Sequence, residues 1–274
     1  MFEGGAGNML SGVPEKVVVV PPAVQSVAAG RELRPVWLNT LGGVTFEMDD
    51  ADGRSFVKFA PAGSGLPLAR EAERLAWAQR FTPVPRVLNA GHDETGTWLH
   101  TAALPGANAV AARWQADPEP AVVAIGAGLR ALHEALPVDD CPFSWMAADR
   151  LTSARERAAA GLITTANWHP DYQHLTLPEA LALAEYPPPI DRLVVCHGDA
   201  CAPNTLVGHD GTWTGHVDMA TLGLADRWAD LAIASWSLGW NFGPGWDETF
   251  YAAYGVRPDP ERIAYYRLLW ELGP

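Results

Sequence analysis

Between residues 34 and 101 apolar and polar side chains alternate in short runs: Arg34 to Asn39, Val44 to Asp49, Arg54 to Ala60, Arg86 to Gly91 and Thr97 to Thr101. A period of two puts every second side chain on one face, the mark of half-buried strands, so these runs predict a small sheet. Asp49-Asp50-Ala51-Asp52-Gly53, between the second and third runs, predicts a hairpin turn, because glycine tolerates the positive φ such turns need. One segment breaks the period. In Leu68 to Phe81, residues Leu68, Ala72, Leu75, Ala76 and Gln79 return at helical spacing, and Thr82-Pro83 supplies the stop.

From Glu119 the texture changes. EPAVVAIGAGLRALHEAL carries apolar residues every three or four positions, and further helices are predicted over Ala147 to Ala160, Leu177 to Ala184, Asp226 to Leu238, Asp247 to Tyr254 and Pro260 to Leu272. Two short strands, Asn204 to Val207 and Trp213 to Val217, interrupt them. The boundary falls near Pro105-Gly106. The pattern predicts an α+β chain: a leader over 1–20, a β-rich lobe with one helix over 21–104, and a mainly helical lobe over 105–274.

At 274 residues the chain can bury a sizeable core, as one large domain or as two lobes sharing a cleft. Hydrophobic residues at 48% and charged residues at 19% give an ordinary soluble, globular balance. The net charge of −13, without a Lys/Arg run, argues against a nucleic-acid partner and favours a small cationic ligand. Cys141, Cys196 and Cys201 are odd in number and lack Cys-x-x-Cys spacing, so neither a disulfide framework nor a zinc site is expected, and a reducing cytoplasm fits. The start, MFEGGAGNMLSG, lacks the order of a signal peptide, and Val17 to Val20 is too short to span a bilayer. No membrane association and no obligate protein partner are expected.

The segment HGDACAPN, His197 to Asn204, follows the apolar run Leu193 to Cys196. Its Asp199 and Asn204 are spaced like the acid and amide of the kinase loop H-R-D-x-x-x-x-N, in which the acid takes a hydroxyl proton and the amide oxygen binds magnesium. Gly198 replaces the arginine. Asp218 ends the strand Trp213 to Val217, where a metal-binding carboxylate would stand, and magnesium favours such oxygen ligands. By itself His-Gly-Asp is also an ordinary Asx turn. Lys58, in the apolar run Phe56-Val57-Lys58-Phe59, needs an anionic partner, and Glu71 on the following helix is expected to supply it rather than Glu73. Leu41-Gly42-Gly43-Val44 either brings backbone N–H groups onto phosphates or is a plain hairpin turn. His197 and His216 read as hydrogen-bonded structural residues, and Trp236 and Trp240, at helical spacing, as core.

Taken with GHVDMATLGLADRWADLA, Cys141-Pro142-Phe143, EAERLAWAQRFTPVPRVL and IAYYRLLWEL, the motif VVCHGDACAPN resembles the aminoglycoside phosphotransferases, over nearly the whole chain after the leader. The resemblance implies a protein-kinase-like two-lobed α+β fold, with a small β-rich N-lobe and a mainly helical C-lobe. It implies a kinase using ATP or GTP with Mg2+, a cationic acceptor such as an aminoglycoside, and a role in antibiotic resistance. Asp199 would orient and deprotonate the hydroxyl, Asn204 and Asp218 would hold Mg2+, and Lys58, paired with Glu71, would contact the phosphates near Gly42 and Gly43. Thr101, Ala102 and Leu104 would form the adenine hinge. Asp230 and Asp226 would brace the catalytic loop, while Asp171, Trp168, Trp270 and Glu271 would meet the acceptor. The departures concern the acceptor: Trp270 stands in place of an acid, Thr221 in place of an arginine, and Ala202 in place of an acid found in several members. The alternatives are a kinase of another amino sugar, macrolide or metabolite, or a nucleotide-binding pseudokinase.

Overall fold

The computed structural model describes residues 18–50 and 53–273, which divide into two compact units at Leu104–Pro105. In the first, α1 (Pro22–Ala28) precedes β1 (Arg34–Leu38), β2 (Val44–Asp50) and β3 (Gly53–Pro61), followed by α2 (Leu68–Ala78), β4 (Val87–His92) and β5 (Gly96–Ala102). The strands form one antiparallel sheet in the order β1-β2-β3-β5-β4. Asp50 pairs with Gly53, so the predicted hairpin closes there, while its tip, residues 51 and 52, lies outside the described residues. Alternation along β3 sends Val57 and Phe59 into a core with Val24, Ala28, Phe46 and Met48, and turns Lys58 to the other face. That core is the α1 side of the sheet. α1 has no counterpart in the predicted elements, because Pro21-Pro22 reads as loop although proline suits a first helical turn. Residues 1–17 of the expected leader lie outside the described residues, and Val18 and Val20 pack against the α1 core.

The second unit begins with β6 (Ala107–Asn108), α3 (Ala112–Ala116), α4 (Pro118–Ala135), α5 (Ala147–Ala159) and α6 (Leu177–Ala184). β7 (Leu193–Cys196), β8 (Thr205–Val207), β9 (Trp213–His216) and β10 (Gly223–Asp226) follow, then α7 (Trp228–Phe242), α8 (Asp247–Tyr254) and α9 (Pro260–Glu271). α6 starts where its sequence says, since Thr176 and Glu179 exchange side-chain and backbone hydrogen bonds in a capping box. The expected helix from Asp226 requires correction. Gly223 to Asp226 pair with Cys196 to Leu193 as a strand, and Asp226 Oδ1 accepts from Trp228 N at 3.1 Å, so the helix begins two residues later. From Trp228 to Leu238 every residue of α7 is buried, which makes it the axis of this unit. Trp236 is buried as expected, but Trp240 is 51% exposed. No helix among the described residues is long and apolar enough to cross a membrane.

Candidate active site

β7 delivers the chain into residues 197–204, and buried groups account for the loop's backbone one by one. Asp230, in the first turn of α7 and fully buried, accepts from His197 N at 2.6 Å and Gly198 N at 2.8 Å. It also contacts His133 Nε2 of α4 at 3.0 Å, and His133 Nδ1 meets the Tyr254 hydroxyl at 2.8 Å. Burial alone would push the Asp230 carboxyl up, but the His133 contact, with nearby histidines and the Gly198 N–H, holds it below the usual carboxylate range. Gly198 has φ +84°, and a Cβ there would lie 2.3 Å from Thr221 O, so no other residue fits where the kinase loop has arginine. The His197 ring accepts from Asp199 N at Nδ1, 3.2 Å, which leaves Nε2–H to donate to Val217 O at 2.8 Å. Further along, Ala202 N donates to Ser237 Oγ at 2.9 Å, and Asn204 Nδ2 donates to Asp199 O at 2.9 Å.

The metal-binding candidates are neighbours through a hairpin. Thr205 of β8 pairs with His216 of β9, and Val217 N donates to Asn204 O at 3.0 Å, so Asp218 emerges one residue beyond Asn204's partner. Asp218 has φ +62°, a left-handed conformation that aspartate tolerates better than most residues and that recurs at functional sites. Burial raises the Asp199 carboxyl above its ordinary value, and the charge of Asp218 adds to the rise. Because Asn204 spends its amide nitrogen on a carbonyl, its free atom is the oxygen, the donor a hard cation requires. A second cluster, His133, Cys196 and Asp230, has ligand atoms within 4.8 Å of one another. It is a hydrogen-bond network rather than a metal centre: burial pushes the Cys196 thiol well up, and its sulfur donates to Asp226 O at 3.4 Å, whereas a metal needs thiolate.

In the N-terminal unit Lys58 Nζ donates to Glu71 Oε1 at 2.6 Å, while Glu73 is exposed. Both partners are largely buried, and removing either from such a pair costs about 3–5 kcal/mol. The Gly42-Gly43 turn closes on Asn39, whose Oδ1 accepts from Leu41 N and Gly43 N at 2.9 Å and whose carbonyl accepts from Gly42 N at 3.1 Å. It is built as a hairpin turn whose N–H groups are already donated. Thr101 is buried in β5 against Phe56, Ala102 N donates to Arg86 O at 2.9 Å, and Leu104 is half-buried at the unit's end.

The acceptor candidates are less uniform. Glu271 accepts from His169 N at 2.9 Å, and burial raises its carboxyl. Asp171 is exposed, 3.3 Å from the His169 ring, and borders a basin of about 480 Å3 with Tyr172, Asp247, Tyr251 and Arg267. Trp270 is half-buried. Trp168 corrects an expectation: at 4% exposure it is buried and offers no stacking face. Asp226 also differs from its expected role, since it accepts from Asp191 N at 2.8 Å and caps α7 instead of bracing the loop. Sequence reasoning missed His133 and Ser237. His133 could have been suspected, as a histidine on the buried stripe of α4 needs a polar partner; nothing local marks Ser237.

Residues 34–266 match the model of the phosphotransferase enzyme family. The chain is 42% identical over 223 residues to aminoglycoside 3'-phosphotransferase of Streptomyces fradiae, spanning 77% of this chain and 82% of that protein. Its fold aligns with the crystal structure of aminoglycoside-3'-phosphotransferase of type VIII at a TM-score of 0.79 and 34% identity, covering 91% and 96% of the two chains. It also aligns with aminoglycoside phosphotransferase APH(3'')-Id from Streptomyces rimosus, solved with ADP and streptomycin, at a TM-score of 0.72 and 29% identity over 91% and 95%. Matched along most of its length in both sequence and fold, the chain belongs to the aminoglycoside phosphotransferase family and has its protein-kinase-like α+β architecture.

Proposed function

We propose that this protein is a kinase that transfers the γ-phosphoryl group of ATP to a hydroxyl of an aminoglycoside, of the 3' or 3'' type. The observation that carries the reading is the gathering of Asp199, Asn204 and Asp218 by one loop and one hairpin. The relatives' names, and the ADP and streptomycin held by one of them, support it. In the step, the acceptor oxygen forms a bond to the γ-phosphorus as the bond to the β–γ bridging oxygen breaks, and ADP leaves with that electron pair. Asp199 orients the hydroxyl and receives its proton. Its raised carboxyl pKa makes it a better base than free aspartate, and proton transfer to a positioned side chain typically contributes about 10²–10⁴-fold in all. Lys58, held by Glu71, contacts the phosphates, and residues 101–104 border the adenine.

The donor set fits Mg2+: an amide oxygen freed by the Asn204–Asp199 bond and the Asp218 carboxylate, with no thiolate or imidazole among them. When bound there, the ion would neutralise phosphate charge. Glu271 and Asp171 attract the acceptor's ammonium groups, consistent with the chain's net charge of −13. A cytoplasmic location, where ATP and reduced thiols coexist, accords with this reading.

The test is phosphorylated product by mass spectrometry with ATP or GTP, Mg2+ and kanamycin, neomycin, streptomycin or non-antibiotic amino sugars. Product with an aminoglycoside, lost in Asp199→Ala, is expected; product only with another acceptor class moves the protein elsewhere in the superfamily, and none at all points to a pseudokinase.

A further inference from the structure

Trp240 breaks the burial pattern of its own helix. α7 is buried from Trp228 through Leu238, yet the Trp240 indole is 51% exposed, although it stands four residues after buried Trp236 on the same face. Its ring rests on Trp236 at 5.1 Å and 41°. Trp236 is fixed by three neighbours: His169 at 4.8 Å, Tyr172 at 5.9 Å, and the Arg267 guanidinium at 5.3 Å from its ring. One side of Trp240 is therefore braced by a rigid aromatic stack while the other faces solvent.

Its place in the fold connects it to the reaction. Three residues earlier, Ser237 Oγ accepts from Ala202 N, in the middle of the loop that runs from Asp199 to Asn204. Asn241, the next residue, donates from Nδ2 to Ser237 O at 2.7 Å and ties the end of α7 to the same serine. On the other side of the stack, His169 N donates to Glu271. The exposed indole is thus connected through α7 to the catalytic loop and through the Trp236–His169 contact to the residue that bonds Glu271. Ala202 and Trp270 leave this chain short of acidic side chains for gripping a polycation. An indole face offers a different grip, dispersion against the C–H face of a saturated ring and attraction for an ammonium group.

We propose that Trp240 is an acceptor-specificity residue: a preorganised platform on which one aminated ring of the acceptor stacks while its hydroxyl approaches Asp199. This rests on the phosphotransferase reading above. It predicts an acceptor preference set by ring-face contact as well as by charge, so binding falls less steeply with salt than a purely ionic site would.

Steady-state kinetics on the full-length chain test it, with the best acceptor from the product screen, comparing wild type with Trp240→Ala, Trp240→Phe and, as a control, Trp37→Ala, which removes the half-exposed indole of β1. Trp240→Ala is expected to raise the acceptor KM roughly 3- to 30-fold, with kcat and the KM for ATP held within twofold, and Trp240→Phe to recover most of the loss. Trp37→Ala should change neither constant. An unchanged acceptor KM in an active Trp240→Ala enzyme overturns the proposal, as does a fall in kcat with an unchanged KM, or an equal effect of Trp37→Ala. A wild type that phosphorylates no acceptor instead overturns the phosphotransferase reading itself, a result the variants cannot produce.

Discussion

The segment 197–204 and the segment 165–173 lie in the same unit and are held in opposite ways. In the first, the N–H groups of His197, Gly198, Asp199 and Ala202 each go to a buried or half-buried partner, supplied by Asp230, the His197 ring and Ser237. In the second, Asp171 is exposed, and the loop reaches α9 through His169 N to Glu271 and through the Tyr172 hydroxyl to Ala264 O at 2.9 Å, with none of its bonds made to a fully buried carboxylate. On the proposed function, the difference separates chemistry from selection. A group that must meet phosphorus in one geometry is over-determined by buried hydrogen bonds, whereas groups that meet a variable acceptor sit on a surface that can change without disturbing the core.

The largest expected effect sharpens the first half of that contrast. Asp199→Asn should lower kcat by about 10²–10⁴-fold. It should leave thermal stability intact or slightly improved, because burial disfavours the ionised carboxyl. Steady-state kinetics with a melting curve check both. In wild type, activity should fall as pH drops through the raised Asp199 pKa, at higher pH than the roughly 3.9 of free aspartate, since only the ionised form accepts the proton.

Next in size, Asp230→Asn or Gly198→Ala should break the loop's scaffold. Asp230→Asn removes a buried charge with several donors and should cost about 3–5 kcal/mol in denaturant unfolding. The Asp230 carboxyl is depressed, so its stabilisation is full above the unfolded pKa and is lost as pH falls through the lower folded value. Stability equal to wild type in Asp230→Asn would show that the loop is held otherwise.

A smaller effect concerns His216, 2% exposed, with neither ring nitrogen bonded among the described residues and its pKa pushed well down by burial. The folded state keeps it neutral while the unfolded chain binds a proton, so stability should decline as pH falls below about 6.5. His216→Phe should flatten that slope. The smallest effect belongs to the acceptor side: Glu271→Gln should raise the acceptor KM by roughly two- to fivefold, the scale of an incompletely buried ion pair, without changing the fold.

What could be read from the sequence follows the same division. The β3 strand around Lys58, the partner Glu71, and the spacing of Asp199 and Asn204 were legible because a lysine among apolar residues needs a carboxylate and because a loop motif keeps its chemistry in fixed register. Helices α6 and α8 were legible from periodicity, and a capping box at Thr176 fixes where α6 begins. Other features depended on contacts remote in the chain. β10 is a strand because β7 pairs with it 30 residues away, and its four residues carry no period of their own. His133 reaches Asp230 across 97 residues, and Ala202 reaches Ser237 across 35. The exposure of Trp240 reverses an expectation because helical spacing fixes a face but not whether a neighbour covers it, while the burial of Trp168 reverses one that rested on the resemblance alone.

On the proposed function, Asn204 and Asp218 act as one pair of oxygen donors beside Asp199. Titration of Mn2+, as a magnetic stand-in for Mg2+, into the ADP-saturated protein measures it directly. Asn204→Leu and Asp218→Asn should each weaken the ion at least tenfold, and the double variant should lose less than the sum of the two in free energy, because each donor needs the other. Metal affinity unchanged in either single variant would show that the two side chains do not hold the ion together.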